Sequence, residues 1–159
     1  MIHVIGNSHS HYFSESTDIV AHSCMKTNQY FHTYSIGAAI CYNFYENHLP
    51  IVKQLLVDEI KPKKDDYVMI CGFHEIDCRW HLPKKMSEYN LTLEYVVDEC
   101  LKRYFRTFVY LKNEGYNLIV FGSHPSTTSG HNDDYPNNRK RAHCKRISIS
   151  LLFIVFRSR

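Results

Sequence analysis

Three apolar runs constrain this chain more than any other feature: "MIHVIG" at 1–6, "YVMICG" at 67–72 and "NLIVFG" at 117–122, each closed by a glycine and then polar residues. Their residues do not alternate between apolar and polar, as a strand with one wet face would, so each reads as covered on both faces. With helical patterns between them, such strands point to an α/β/α sandwich with a mostly parallel sheet. Sheets of that class bind ligands beyond the carboxyl ends of their strands. Those ends are Gly6–Asn7–Ser8, Gly72–Phe73–His74–Glu75 and Gly122–Ser123–His124. Glycine after a strand is also ordinary turn chemistry, so the ends suggest a site without proving one.

The remaining segments fill in the order. "DIVAHSC" (18–24) reads as a short second strand, and "YFHTYSIG" (30–37) as an extended segment ending in glycine. From Ala38 the period changes: Ala38, Ile40, Cys41, Phe44, Tyr45 and Leu49, then Ile51, Leu55, Leu56 and Ile60, recur at helical spacing. That predicts helix from about 38 to 60, with Pro50 ending one segment or opening the next. Residues 61–66 form a charged turn, and 73–85 read as a loop rich in His, acids and Arg. A long helix is predicted over 88–114, capped by Ser87 and ended by Gly115, with Leu91, Tyr95, Val96, Cys100, Leu101, Tyr104, Phe108 and Leu111 as its buried stripe. Residues 123–138 read as a long polar loop.

At 159 residues the chain has room for one domain with a sizeable core. No N-terminal stretch has the form of a signal peptide, and the longest apolar run, "ISLLFIVF" at 149–156, falls short of the ~20 residues that cross a bilayer as a helix. The six cysteines are spread among apolar segments, which fits reduced thiols and a cytoplasmic location. Charge is unevenly distributed. Residues 137–159 carry seven Lys/Arg and no acid, whereas 1–136 hold 12 basic and 16 acidic groups. The basic stretch "NNRKRAHCKR" has no recognition fold around it and no interleaved aromatics, which argues against a nucleic-acid partner. The sequence thus divides into a domain over 1–138 and an atypical basic, then apolar, tail over 139–159.

"IGNSHSHYF", "YSIGAAICYNF" and "GFHEIDCRWH" resemble, in order, the first blocks of the SGNH (GDSL-like) hydrolases, and "EIDCR" at 75–79 is the most specific part of the likeness. The resemblance covers roughly residues 1–125. It implies a flavodoxin-like fold and hydrolysis of acyl esters of glycans or small molecules, without metal or cofactor. Carried over by position, Ser8 matches the nucleophile, and Gly37 the glycine whose N–H helps hold the oxyanion. Aligning on Gly72 puts His74 at the family's asparagine oxyanion position, whereas aligning on "EIDCR" puts Ile76 there. Asn7, His9, Glu75, Asp77, Arg79 and His124 would line or shape the substrate pocket.

Three departures stand beside the likeness. Asn7 replaces the aspartate that usually precedes the nucleophile, the Gly-x-Asn-Asp block has no clean match, and the C-terminal Asp-x-x-His that supplies the base occurs nowhere in the sequence. The nearest substitutes are His124 and His131, with Asp133 and Asp134 close by. A reading frame shifted or cut near 138–145 would account for both the missing block and the basic tail. A non-catalytic relic or binding domain of the same fold is the alternative. Cys71, His74, Cys78 and His81 also have ligand types that zinc accepts, but eleven residues are few in which to close a tetrahedron; a core cysteine plus loop side chains is the better reading.

Overall fold

The computed structural model describes residues 1–7, 10, 13, 24–26, 30–71, 77–121 and 153–156. Six strands form one sheet: β1 (Ile2–Gly6), β2 (Cys24–Lys26), β3 (Phe31–Ser35), β4 (Tyr67–Cys71), β5 (Asn117–Phe121) and β6 (Phe153–Phe156), in the order β2-β3-β1-β4-β5-β6. The inner four are parallel, and the two outer strands pair antiparallel. This is an α/β fold with a mostly parallel sheet, as the apolar runs require. The chain leaves β1 on one side to reach β3 and then crosses to the other for β4 and β5. That reversal about β1 is the switch point at which open α/β sheets bind their ligands.

Period-two geometry sends alternate side chains to opposite faces. Ile5, Tyr34, Val68, Ile70, Leu118 and Val120 share the larger core with the helices. On the other face lie Val4, Met69 and Cys71, with Ile2, Phe13, Phe31, Ile119 and Phe121 packed around them. Phe13 stands edge-on to Phe121, with ring centroids 5.5 Å apart. Val4 and Ile5, neighbours on opposite faces, are both fully buried, so neither face is wet.

Two helical stretches repeat the tripeptide His-Leu-Pro. Helix α1 (Leu49–Gln54) follows a wide π-type turn over Phe44–His48, and α2 (Leu82–Tyr89) follows another over Asp77–His81. In each, proline sits in the first turn of the α-helix. Proline lacks an N–H and its ring crowds the carbonyl four residues back, so a turn widened ahead of it relieves the clash. Pro50 therefore opens α1. A second wide turn, Leu55–Ile60, carries the stretch on to Lys61, whose left-handed backbone ends it.

The structure corrects the sequence expectation for the next region. Helical backbone begins at Asp77, inside the loop expected over 73–85, and the helix expected to start at Ser87 is broken at Asn90–Thr92. Asn90 is left-handed (φ 51°) and closes α2, and Thr92 is extended, its hydroxyl accepting the Tyr95 N–H at the start of α3 (Leu93–Asn113). Asparagine tolerates that conformation, and a threonine side chain satisfies a free N–H of the first turn. The restart also sets the rotation of the helix. Val96, Val97, Cys100, Tyr104, Thr107, Phe108 and Leu111 are buried, while Tyr95, expected inside, is 54% exposed. Tyr104 packs edge-on against Phe44 and Phe108, at 5.4 and 4.9 Å between ring centroids.

The apolar stub of the tail finds a place. Residues 153–156 pair with β5, from Phe121↔Phe153 to Leu118↔Phe156. Among the described residues no helix is long and apolar enough to cross a membrane.

Candidate functional site

The carboxyl ends of β1, β3 and β4 lie side by side. Gly6 is in register with Ser35 on one flank and Cys71 on the other, and the Ile36 N–H donates to the Gly6 carbonyl at 2.9 Å, extending the pairing past the end of β3. Gly37 follows with φ 75°, a conformation that strains any residue with a side chain. Its N–H lies 3.5 Å from the Ser35 hydroxyl, a long contact that leaves most of its donor strength for another acceptor.

Gly6 is required by space. A Cβ there would come within 2.7 Å of the Ser10 Cβ and 2.9 Å of the Cys71 carbonyl oxygen. The chain after β1 thus passes close over the end of β4. Asn7 is buried, and its carbonyl accepts both the backbone N–H and the hydroxyl of Ser10, at 2.9 and 2.8 Å. Asn7 and Ser10 flank Ser8 and His9, which lie outside the described residues. So do His74, Glu75, His124 and His131, and of Arg79 only the backbone is described. The structure therefore brings Asn7, Gly37 and the β4 end together and also describes Asp77; Ser8, His9, His74, Glu75, His124 and the Arg79 side chain are not among the described residues.

Asp77 is the most distinctive polar group near these ends. It is 1% exposed, and its carboxylate accepts the N–H of Cys41 at 2.5 Å and that of Tyr42, in the turn that precedes the first helical stretch; residues 38–43, expected to be helical, form that turn instead. Burial pushes its carboxyl up to about 7, and the two N–H groups offset only part of that. Its second oxygen, Oδ1, is buried without a hydrogen-bond partner among the described residues. Nothing in "EIDCR" distinguishes such an inward-facing cap from a surface acid.

His48 was not singled out by the sequence. Its ring stacks on Phe44 at 5.6 Å, and burial lowers its pKa, partly offset by a hydrogen bond to the backbone of Ala38. It backs the turn that carries Gly37. Its place one helical turn from Phe44 carries no sequence signal beyond helix periodicity.

Cys71 and Cys78 belong to opposite sides of the sheet: Cys71 packs with Val4 and Met69, and Cys78 in the larger core. That separation opposes the zinc spacing in the sequence. Burial alone pushes the Cys71 thiol up to about 12, so it is a packing group and not a ready nucleophile. Among the described residues no group of three or more His, Cys, Asp or Glu is arranged to hold a metal ion. Set against protein-family models, curated proteins and solved structures, the chain matches none.

Proposed function

We propose that the chain is an SGNH-type ester hydrolase acting on an acylated glycan or small molecule at the carboxyl ends of β1, β3 and β4. Ser8 is the nucleophile, the N–H groups of Ser8 and Gly37 receive the oxyanion, and His74 assists. One observation carries the reading: the Ile36-to-Gly6 hydrogen bond, which ties the turn of Gly37 to the end of the strand that precedes Ser8. Donors fixed in advance of the reaction stabilise the charge that develops on the carbonyl oxygen, worth on the order of a hundredfold or more in rate for a single donor.

In this chemistry the Ser8 hydroxyl adds to the ester carbonyl, the alcohol leaves, and water releases the acid from the acyl-enzyme. The serine proton needs a base, for which His124 and His131 remain the sequence candidates. Asn7, His9, Glu75, Asp77, Arg79 and His124 shape the pocket in this reading. A cytoplasmic location belongs to the same proposal, supported by the buried thiols of Cys41, Cys71, Cys78 and Cys100, which form no disulfide.

The second reading is a non-catalytic binding domain of the same fold, favoured by the absence of Asp-x-x-His from the sequence. A fluorophosphonate probe separates the two. Labelling of the wild type that disappears in Ser8→Ala supports the hydrolase; labelling that is absent, or equal in both proteins, leaves the binding domain.

A further inference from the structure

The segment after Gly37 runs from the end of β3 into the first helical stretch, and its hold on the rest of the molecule comes from two directions. At one end the Ile36 N–H is bonded to Gly6. At the other, the Cys41 and Tyr42 N–H groups are bonded to a carboxylate 36 residues away in sequence, in the wide turn that precedes α2. Backbone N–H groups taken out of water need a partner; in the turn ahead of the first helical stretch, where Asn43 makes no side-chain cap, the distant Asp77 supplies one to Cys41 and Tyr42. Its bonds close a loop across the carboxyl ends of β3 and β4.

We propose that Asp77 is a positioning residue: by holding Cys41 and Tyr42 it fixes the 37–42 turn, and with it the direction of the Gly37 N–H, and it couples that turn to the segment after β4. The proposal rests on the hydrolase reading for its catalytic consequence, but the tether itself does not. Two fixed ends across six residues leave the turn little freedom, and an oxyanion donor is effective only when its direction is set beforehand. Asp77 approaches neither ester nor nucleophile in this role. It acts through the backbone that it holds.

The pH dependence of the tether follows from its surroundings. Among the described residues, the titratable groups whose charge interacts with Asp77 are the Cys41 thiol and the Tyr104 phenol, both buried, with Cys78 and Cys100 interacting in turn with Cys41. Burial raises the Cys41 and Tyr104 groups far from neutrality, so neither competes for the proton in the range where Asp77 titrates. As pH rises from 6 to 8 the carboxyl becomes an anion; an anionic acceptor holds an N–H more strongly than a neutral one, but the cost of burying the charge is larger, so the held state loses ground to one in which Asp77 meets water.

Amide hydrogen exchange at Cys41 and Tyr42, corrected for intrinsic rates, tests the tether without reference to activity. In Asp77→Ala both amides exchange about tenfold faster or more. In wild type their protection falls from pH 6 to 8, because the ionised carboxyl favours the opened, solvated state, and in Asp77→Asn, which keeps an acceptor oxygen but cannot ionise, it stays level; that comparison decides the matter if the alanine variant does not fold. Fluorophosphonate labelling of Ser8 then falls about tenfold in Asp77→Ala and is largely restored in Asp77→Asn. Unchanged exchange in Asp77→Ala, or identical pH profiles in wild type and Asp77→Asn, overturns the tether. Faster exchange with undiminished labelling overturns the positioning role. No labelling of the wild type sinks the hydrolase reading, and the catalytic consequence with it, while the exchange data still decide the tether.

Discussion

Two aspartates bracket β4, and they are held in opposite ways. Asp66, just ahead of the strand, is mostly buried, yet it bonds the amino group of Met1 at 2.9 Å, the Lys63 N–H at 2.8 Å and the His3 ring at 3.3 Å. Burial alone would raise its pKa, but these donors together outweigh burial and hold the carboxyl at about 2. Asp77, past the other end of the strand, has two backbone donors and no cation among its described partners, and burial wins. A charged donor offsets desolvation where neutral ones do not. The amino end of the sheet is therefore ionic at neutral pH, whereas the carboxyl end, where the proposed site lies, holds a carboxyl poised between its two forms.

His3 shows that even the ionic end is not a simple salt bridge. Burial lowers its pKa in spite of Asp66, so at neutral pH the ring is uncharged and Nε2 serves as a neutral donor. Its Nδ1 is buried without a hydrogen-bond partner among the described residues.

The sharpest way to test the tightness of the carboxyl end is Gly6→Ala. The new methyl group meets the Cys71 carbonyl oxygen, which is backbone and cannot swing away, so a loss of about 3 kcal/mol is expected in urea unfolding. A loss below about 0.5 kcal/mol would show that the two strand ends can part freely.

The contrast between the aspartates is tested by stability against pH, and the two signs are opposite. Asp66 has a depressed pKa, so its contribution is present above pH 3.8 and lost as pH falls toward about 2; Asp66→Asn is expected to cost on the order of 2 kcal/mol at pH 6 and nearly nothing at pH 2. Asp77 has a raised pKa, so its contribution is present below pH 3.8 and lost as pH rises through about 7. Asp77→Asn is expected to gain on the wild type between pH 5 and 8. Parallel profiles for the two variants would erase the distinction.

The smallest effect is expected away from both ends. Arg106 lies over the Tyr45 ring at 4.3 Å and reaches Glu46 at 3.3 Å, but its side chain is largely exposed. Exposed pairs contribute little, so Arg106→Ala should change stability by less than about 1 kcal/mol, and less still at high salt. A larger loss would make the seam between α3 and the first helical stretch a second anchor of the 37–48 region.

Much of the fold was legible because the inner strands carry their own evidence. β1, β4 and β5 are apolar on both faces, and a glycine follows or ends each of them. Residues 77–92 are less legible because the wide turn before Pro83 obscures helical periodicity, and because nothing local marks Asn90 and Thr92 as a helix stop and start rather than as residues within a longer helix. The apolar run at 149–156 is visible in the sequence, but its partner is not. Pairing with β5 depends on which sheet edge is free, and no local pattern records that.

The sequence by itself determined the parallel α/β character, the apolar strands and the glycines at their ends, because side-chain period and glycine's freedom are local properties. Only the tertiary structure decided that Gly6, Ser35 and Cys71 stand in register, that Gly37 hangs from Gly6 through Ile36, and that Asp77 turns inward to cap Cys41 and Tyr42. Those relations join residues dozens of positions apart. What fixes them is the requirement that every buried N–H and carboxylate find a partner, and that requirement can be met only once the chain has closed on itself.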